Sequence, residues 1–438
     1  MLSPQDNELM CRVGPGTPMG NLMREHWLPG IPAAELSEPD GAPIRVRLLS
    51  ENLIAFRDSS GKIGVVAESC PHRGASLFFG RNEESGLRCV YHGWKFDTTG
   101  TCTDMPNEPA ESNFKHKIQL RAYRAEQRNG MIWVYMGPRE TPPPVPPFEY
   151  NTVAPEYAGH PAMHFYDCNW VQSLEGDVDS SHIDYLHARI VKEQIEESRL
   201  FLAANNLDKN PRLHVLPTDY GAVYAAQRQW NAQGDQWYRI TQFMFPFYTM
   251  IAASQGDRLA VNAWLPLDDS HTVMVGMGYN LEQPLPEERR KAYDPYHRLG
   301  GYRPRSSDPL SRYRPPAHVG NDYMRDHTAE KTRMFSGIPR DPKTQDLAMV
   351  ESMGEIYGRN REHLGTSDSM IITVRRILIR AAKDFQDTGA LPPTVEKPEV
   401  YRVRPASVVL PNGENWVDAT ARARSADAGV PVAYVVAD

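Results

Sequence analysis

The sequence lacks a long hydrophobic run and has few cysteines. A membrane-spanning helix needs about 20 mostly apolar residues, and no segment of the 438-residue chain approaches that length. The opening residues, MLSPQDNELMCRVGPG, have no basic stretch followed by an apolar core, so they do not resemble a secretory signal. We therefore expect a protein with no membrane segment that stays in the cytoplasm.

Positive charge is not in excess either. The formal net charge is −7, whereas a nucleic-acid-binding protein would show a basic patch or stripe. Five cysteines, an odd number at low density, argue against a disulfide framework. In such a chain, closely spaced cysteine and histidine residues indicate metal ligands. We assign no role to Cys11, Cys102 and Cys168.

The first third of the chain has the pattern of a small β domain. Apolar and polar residues alternate at 44–57 and predict a hairpin that turns through Ser50–Asn52; 63–67 and 131–137 are further short strands. The proline-rich segment 137–147, GPRETPPPVPP, favours extended polyproline II structure and is the predicted linker. We therefore expect two domains, 1–147 and 148–438.

The second part predicts an antiparallel sheet followed by a helix. Four β-rich runs lie between residues 213 and 279 and are separated by turn residues. Residues 281–345, rich in Pro, Arg and Asp, show no clear period and predict mostly loop. Thr366, Ser367 and Asp368 offer an N-cap for a helix whose apolar residues recur at helical spacing from Met370 to Phe385.

The first candidate metal site combines CPHRG at 70–74 with CVYHGW at 89–94. Two cysteines and two histidines suit either a tetrahedral zinc ion or a [2Fe–2S] cluster in which thiolates hold one iron and imidazoles the other. Each loop here supplies one Cys and one His, as the cluster requires, whereas zinc loops pair like ligands. The two loops resemble the Rieske motif of ring-hydroxylating oxygenases, which implies a [2Fe–2S] cluster on Cys70, His72, Cys89 and His92.

The second candidate site lies in NWVQSLEGDVDSSHIDYLH, residues 169–187, where His182 and His187 stand out. Two imidazoles and one carboxylate on one face of Fe(II) form a facial triad that leaves positions open for oxygen and substrate. In an ideal helix, residues five apart point roughly 140° apart, so we expect a distorted helix or a π-bulge here. Asp179 shares a helical face with His182 and is expected to hydrogen-bond its imidazole.

This segment also resembles the N-W-x(n)-E-x-x-x-D-x-x-H-x(4)-H signature of the Rieske oxygenases. The resemblance implies Asp346, which follows Gln345 and should lie shortly before a helix, as the third iron ligand. It also implies a head-to-tail homotrimer, alone or as two stacked trimers. In that assembly Asp179 bridges His182 and His92 of the partner subunit and carries electrons between them.

Most of the chain resembles the phthalate 4,5-dioxygenase branch of that family. The resemblance implies a bacterial, cytoplasmic protein with an α+β fold: an N-terminal all-β Rieske domain, then a catalytic domain with a large antiparallel sheet covered by helices (helix-grip or START-like). Glu175-Gly176 stands where the naphthalene dioxygenase branch has Glu-Asn. This favours the phthalate-type branch.

The resemblance implies a terminal oxygenase that takes electrons from a flavin and ferredoxin-type NAD(P)H reductase and uses O₂ to hydroxylate an aromatic carboxylate. The alternative is oxidative O-demethylation or diaryl-ether cleavage of a methoxy- or aryloxy-benzoate. Arginine holds a carboxylate through two parallel hydrogen bonds. Arg212 and Arg239 are our substrate candidates, with Arg199 and Arg228 also in the sheet-forming half. Either an apolar pocket or core packing explains Met244, Phe245, Phe247 and Tyr248.

Two other classes of protein are open on the residues alone. A pure electron carrier needs only the first domain, so the second His/His/Asp set argues against it. A zinc-binding regulatory protein would be colourless, whereas a Rieske protein is red-brown.

Overall fold

The computed structural model describes residues 1–109, 111–190, 208–252, 258–291, 301–338 and 341–426. The chain begins with two helices, Pro4–Cys11 (α1) and Pro18–Arg24 (α2). The hydroxyls of Ser3 and Thr17 accept hydrogen bonds from backbone N–H groups of the first turns, and a proline follows each cap. Both starts are therefore fixed by the local sequence.

Ten strands follow in the N-terminal part: Trp27–Pro32 (β1), Ile44–Leu48 (β2), Glu51–Arg57 (β3), Ile63–Ala67 (β4), Arg81–Glu83 (β5), Gly86–Arg88 (β6), Lys95–Phe96 (β7), Cys102–Asp104 (β8), Ala122–Arg128 (β9) and Met131–Tyr135 (β10). Six of them form one sheet in the order β1-β10-β9-β4-β3-β2, and β5 to β8 form a second, small sheet. The predicted strands at 63–67 and 131–137 are confirmed.

The hairpin of β2 and β3 is confirmed, but the sequence pattern places its turn at 50–52, one to two residues later than the structure does. Leu48 pairs with Glu51, so the turn consists of Leu49 and Ser50, which both have positive φ. Positive φ is uncommon for leucine. The backbone amides of these two residues donate to the carbonyls of Pro266 and Leu267 in the second half of the chain. Tertiary hydrogen bonds therefore support a turn that the local sequence does not favour.

The second sheet-forming half contains eight strands: Ala162–Tyr166 (β11), Arg212–Thr218 (β12), Gly221–Gln229 (β13), Gln236–Met244 (β14), Tyr248–Met250 (β15), Arg258–Pro266 (β16), Thr272–Asn280 (β17) and Ala406–Leu410 (β18). Their order is β11-β17-β16-β15-β14-β13-β12, with β18 also paired to β14. Every pairing is antiparallel. The predicted antiparallel sheet is confirmed.

Eight helices follow β10 in the described residues: Glu149–Thr152 (α3), Trp170–Val178 (α4), Glu287–Lys291 (α5), His327–Thr332 (α6), Pro342–Ser352 (α7), Ser369–Thr388 (α8), Pro393–Glu396 (α9) and Trp416–Ala419 (α10). Of these, α3, α4 and α8 pack against strands of this sheet. The predicted helix corresponds to α8, but its predicted cap is not formed: 366–368 make a 3₁₀ turn, and Asp368 accepts from the backbone amide of Gly365 rather than from the first turn of α8. At its other end, α8 is followed by Gly389 in a left-handed conformation. That ending suits glycine, which has no Cβ to clash there.

The segment 281–345 is mostly irregular in its described residues, but α7 begins inside it. Asp341 caps the helix by accepting from the backbone amide of Lys343, and Pro342 occupies the first helical position. Asp346 therefore lies within α7 and not shortly before a helix. The sequence pattern misses this because α7 has no strong apolar stripe, and its start is set by the cap and the proline.

The two halves share one hydrophobic core. Side chains of β1 and β10 pack in the same cluster as those of β14 to β17, and α1 and α2 pack against α8. Residues 137–148 contain no helix or strand. We propose that 1–147 and 148–438 are the two units of the chain, with α1 and α2 packed on the second. No helix in the described part of the chain has the length and apolar content to cross a bilayer.

Candidate metal centres

Two loops of matching geometry carry the first set of ligands. In the first, the amide of Cys70 donates to the carbonyl of Ala75, and the amide of Gly74 donates back to Cys70. In the second, Cys89 donates to Trp94, and Gly93 donates back to Cys89. Gly74 and Gly93 have φ of +76° and +80°, a region that favours glycine. The CPHRG and CVYHGW patterns therefore encode the same tight turn twice.

These turns bring two cysteines and two histidines together. Cys70 and Cys89 are buried, and the rings of His72 and His92 meet edge to face with centroids 4.4 Å apart. Trp94 stacks on His72 at 4.5 Å, and its indole N–H donates to Oδ1 of Asn107 at 2.7 Å. The four residues that the sequence predicts to form one site therefore lie together in the structure.

The first site fits a [2Fe–2S] cluster better than a single zinc ion. Nδ1 of His72 is buried with no hydrogen-bond partner in the protein, as expected of an atom that binds a metal. Ligands of one tetrahedral zinc lie roughly 3–4 Å from one another. Among the described residues, the only set of three potential ligand atoms within 4.8 Å of one another is in the other site. The four ligands here are spread more widely, as two irons require.

The second set of ligands begins where helix α4 ends. Asn169 caps the helix start, and Asp179 follows its last residue with extended backbone angles. A single 3₁₀ turn at His182–Asp184 follows. The expected distorted helix or π-bulge is wrong, because the chain leaves the helix before the first histidine. An irregular segment can turn two residues five apart towards one point, which a helix cannot.

The three predicted iron ligands meet at one point. Nε2 of His182 lies 3.2 Å from Nε2 of His187 and 3.5 Å from Oδ1 of Asp346. Nε2 of His187 lies 3.1 Å from the same oxygen. Two imidazole nitrogens and a carboxylate oxygen in this arrangement match the donor set of a facial triad. The long separation of Asp346 from the histidines in sequence is closed by α7, which packs on α4.

In both histidines, Nδ1, the ring nitrogen away from the point where the three ligands meet, faces an oxygen atom. Nδ1 of His182 lies 3.4 Å from Oδ2 of Asp179, and Nδ1 of His187 lies 2.6 Å from Oε1 of Gln345. The expected contact of Asp179 with His182 is thus present, although no helix connects them. Burial lowers the pKa of His182, but the hydrogen bond to Asp179 and the charge of Asp346 outweigh it and raise the pKa above its usual value.

A buried ion pair holds the irregular segment against the sheet. Arg228 on β13 donates to Oδ2 of Asp184 at 2.9 Å, and both side chains are completely buried. The same guanidinium donates to the carbonyl of Ser180. It therefore binds the segment on both sides of His182, two residues before it and two residues after it.

A second buried carboxylate ties α4 to α7. Oδ2 of Asp177 accepts hydrogen bonds from Thr249, Asn262 and Trp264. Its Oδ1 accepts from the ammonium of Lys343 at 3.1 Å. Lys343 lies one helical turn before Asp346, so this contact fixes the spacing between the helix that leads to the histidines and the helix that carries the carboxylate.

Sequence reasoning missed Gln345, Asp177 and the clamping role of Arg228. Gln345 was visible only as the neighbour of Asp346, and nothing in its identity signals a contact with His187, 158 positions away. The Asp177–Lys343 pair joins residues 166 apart. Such contacts depend on the packing of the sheet and helices, which a single sequence does not display.

The four arginines proposed for a substrate carboxylate differ in their surroundings. Arg228 is occupied by Asp184, so the carboxylate role proposed for it is wrong. Arg212 is exposed at the start of the edge strand β12. Arg239 is buried on β14. Its positive charge lowers the pKa of His182, an effect smaller than those of burial, Asp179 and Asp346. Arg199 lies outside the described residues.

The proposed apolar pocket residues belong to the core. Met244, Phe245, Phe247 and Tyr248 are all buried in the shared hydrophobic cluster. Tyr248 packs against Phe148, and its hydroxyl donates to the carbonyl of Trp27. Of the two explanations for these side chains, core packing is therefore the one that the structure supports.

Known proteins and family models match this chain over most of its length. A Rieske [2Fe–2S] domain model matches residues 26–123, and a LigXa C-terminal domain-like model matches residues 134–433. The phthalate 4,5-dioxygenase oxygenase subunit of Pseudomonas putida is 37% identical over 434 residues, 96% of this chain and 95% of that protein. The 3-chlorobenzoate-3,4-dioxygenase oxygenase subunit of Comamonas testosteroni is 37% identical over 431 residues, 95% of this chain and 97% of that protein.

A relative with a different reaction in its name also matches. The 5,5'-dehydrodivanillate O-demethylase oxygenase subunit of a Sphingobium strain is 29% identical over 385 residues, 87% of this chain and 80% of that protein. Among solved structures, the Pseudomonas putida CBB5 NdmA QL mutant with theobromine superposes with a TM-score of 0.58 and 17% identity, covering 91% of this chain and 99% of that one. That likeness supports the fold alone.

The family match and the geometry agree on both cofactors. The first half has the two Cys/His turns of a Rieske domain, and the second half has a His/His/Asp set that suits one metal ion. The chain belongs to the Rieske non-haem iron aromatic ring-hydroxylating oxygenases, in the branch that resembles phthalate 4,5-dioxygenase, and its cofactors are one Rieske [2Fe–2S] cluster and one mononuclear iron.

Proposed function

We propose that this chain is a terminal oxygenase that dihydroxylates an aromatic carboxylate of the phthalate or chlorobenzoate type. The observation that carries the proposal is the convergence of His182, His187 and Asp346 on one point in a chain that also has the Rieske turns. The two relatives at 37% identity, both named as dioxygenases of aromatic carboxylates, support the choice of substrate class.

We assign the cofactors to the predicted residues. Cys70, His72, Cys89 and His92 hold the cluster, and His182, His187 and Asp346 hold the iron. When bound, the cluster supplies single electrons and the iron provides open positions for oxygen and substrate. The protein contributes the fixed orientation of both imidazoles through Asp179 and Gln345.

Arg239 is the better placed of the two candidate substrate arginines. A buried guanidinium near His182 can hold a carboxylate by two hydrogen bonds in surroundings that water does not screen. Arg212 is exposed at the sheet edge, where such a contact is weaker. We therefore assign Arg239 to the substrate carboxylate and keep Arg212 as the secondary candidate.

Electrons pass between subunits in this proposal. Phe79, Val90 and Tyr91, the cluster patch, are exposed apolar side chains on or beside the Rieske turns. Tyr185 and Phe335, the iron-side patch, are exposed near His182 and their rings contact each other at 5.9 Å. Exposed apolar groups of this kind favour a protein interface. A head-to-tail trimer, alone or stacked as a hexamer, would place the cluster patch on the iron-side patch of the next subunit.

Asp179 is the proposed bridge in that interface. It touches His182 within its own chain and would accept a hydrogen bond from His92 of the partner subunit. A flavin and ferredoxin-type NAD(P)H reductase supplies the electrons to the cluster.

Oxidative O-demethylation is the second candidate reaction. It is favoured by the match to the dehydrodivanillate O-demethylase subunit over 87% of this chain. The same iron centre serves both outcomes, so the ligand sets do not separate them.

Product analysis with labelled O₂ tests the proposal. The enzyme is supplied with a phthalate-type reductase, NADH and either phthalate, 3-chlorobenzoate or a methoxybenzoate. A cis-diol carrying both labelled oxygen atoms from one of the first two substrates supports dioxygenation. Formaldehyde release from the methoxybenzoate, without a diol from the others, contradicts it and supports demethylation.

A further inference from the structure

Gln345 is a buried neutral side chain that contacts one of the two histidines at the iron site. It precedes Asp346 on α7 and is only 1% exposed. Oε1 of Gln345 lies 2.6 Å from Nδ1 of His187. Besides orienting the ring of His187, this contact bears on which ring nitrogen carries the proton.

The amide of Gln345 can face His187 in only one way. Its Nε2 donates to the carbonyl oxygen of Ile338 at 3.0 Å, and a carbonyl oxygen can only accept. The amide nitrogen must therefore point at Ile338. The amide oxygen is left to face His187, so the assignment of O and N does not depend on the histidine.

This orientation fixes the proton on His187. The amide oxygen can only accept, so Nδ1 of His187 must carry a proton, which leaves Nε2 as the nitrogen that can bind a metal. Nε2 is also the atom that lies 3.1 Å from Oδ1 of Asp346 and 3.2 Å from Nε2 of His182. The protein therefore presents the nitrogen lone pair of His187 to the metal position.

The two histidines receive different acceptors. His182 has the carboxylate of Asp179 behind it, whereas His187 has an uncharged amide. Acceptors behind a metal-bound imidazole fix the tautomer and ring orientation and raise the ligand's basicity. An amide supplies the orientation without adding a third negative charge to a site that already holds Asp179 and Asp346.

We infer that Gln345 is a positioning residue for the iron centre, whose carbonyl locks His187 in the Nδ1-protonated form and so sets the affinity of the site for Fe(II). The inference rests on the proposed assignment of His187 as an iron ligand. It concerns metal binding and not the identity of the substrate.

The test compares Gln345→Met with Gln345→Glu. Both variants lose the hydrogen bond to Ile338, but only glutamate keeps an oxygen for Nδ1 of His187. The matched control is Gln172→Met. Gln172 is another buried glutamine, on α4, whose amide donates to the carbonyls of Val350 and Gly354 and not to a proposed metal ligand.

The readout is the dissociation constant for Fe(II), measured anaerobically by competition with a chelator on protein that retains its Rieske signal. The absorption spectrum of the Co(II)-loaded site reports ligand geometry. We expect Gln345→Met to bind Fe(II) roughly 10–100-fold more weakly and to shift the Co(II) bands. Gln345→Glu and Gln172→Met should stay near the wild-type affinity.

Each result of this test either supports or overturns the role inferred for Gln345. Unchanged Fe(II) affinity in Gln345→Met, or a loss in Gln345→Glu as large as that in Gln345→Met, overturns the inference. Should Gln345→Met not fold, a tenfold weakening in Gln345→Glu alone would still contradict it. His187→Ala separates this outcome from the proposed function: if that variant binds Fe(II) like the wild type, the ligand assignment itself is wrong.

Discussion

Asp179 is the residue on which electron transfer depends in this account. Its Oδ1 accepts from the backbone amide of Ser181 at 2.7 Å, and its Oδ2 faces His182. Burial raises its pKa, but the hydrogen bond and charge of His182 outweigh this and keep the pKa below the usual value. The side chain is thus held as a carboxylate beside the proposed iron ligand His182.

Asp179→Asn should lower steady-state turnover by roughly 10–100-fold while both metals remain bound. The amide is similar in shape but lacks the charge that orients and polarises His182. Turnover, iron content and the EPR signal of the cluster are measured on the same preparation. The exposed Asp219→Asn serves as control, and full activity in Asp179→Asn would refute the bridging role.

His26 makes stability depend on pH away from either metal site. Burial lowers its pKa from 6.5 to about 4, and the ring lies between the carbonyl of Leu22 and the hydroxyl of Thr394. The folded state keeps this histidine neutral, whereas the unfolded chain takes up a proton below about pH 6.5. Its contribution is therefore complete above pH 6.5 and is lost as the pH falls towards 4.

His26→Gln should flatten this dependence. Glutamine can donate and accept hydrogen bonds but does not titrate, so the thermal midpoint of the variant should fall less steeply between pH 6.5 and 4. At pH 4 the wild type has lost about 3 kcal/mol of unfolding free energy through the protonation of His26, and the variant is spared this loss. The exposed His116→Gln is the control, and parallel pH profiles for wild type and His26→Gln would contradict the assignment.

The candidate site residues differ in how far the sequence alone could predict them. Cys70, His72, Cys89 and His92 stand in a dense motif, so the two turns could be predicted from spacing. Asp346 was found only through the family resemblance, because one acidic residue among many carries no signal of its own. Gln345 carried none either, since its role depends on where α7 places it.

The element that matters most is the irregular segment after α4. The helix ends at Val178, and the proposed ligands His182 and His187 follow on a segment whose only helical turn is the 3₁₀ turn His182–Asp184. Arg228 holds this segment from the sheet side. The two histidines lie together as the sequence pattern predicts, but the predicted backbone was wrong. The spacing was interpreted as helical, whereas the side chain that holds the segment, Arg228, comes from β13.

Arg228→Met should destabilise the protein by roughly 3–5 kcal/mol and reduce the iron content of the second site. Removing the guanidinium leaves the carboxylate of Asp184 buried without its partner, and an uncompensated buried charge is costly. Chemical denaturation and iron analysis measure the two effects. The Rieske EPR signal should be retained.

A double variant separates the charge from the packing. Asp184→Asn combined with Arg228→Met removes both charges and should recover much of the lost stability, since replacing a buried pair costs far less than breaking one. Equal stability of the single and double variants would show that the ion pair does not anchor the segment.

At the scale of the whole molecule, the proposed trimer divides the work of the two metal sites between subunits. The cluster patch and the iron-side patch are both exposed on the single chain. The antiparallel sheets and the helix α8 could be predicted from alternation and helical spacing. The contacts that unite the halves could not, because turns such as Leu49–Ser50 are held by backbone bonds to residues over 200 positions away.

Mixed assemblies test transfer between subunits. Cys70→Ser chains lack a cluster and Asp346→Ala chains lack the iron, so each alone should be inactive. In random head-to-tail trimers of both, about one junction in four pairs an intact cluster with an intact neighbouring iron. Co-expressed chains should therefore recover roughly a quarter of wild-type turnover. Mixed trimers that stay inactive would place electron transfer within one chain.

Iron analysis combined with EPR tests whether one chain binds both a [2Fe–2S] cluster and a separate mononuclear iron. We expect a red-brown protein with about three irons per chain and a Rieske EPR signal after dithionite reduction. His187→Ala should lower the content to about two irons while leaving that signal intact. A colourless protein that contains zinc, or an iron content that His187→Ala does not change, would contradict the assignment of two iron sites.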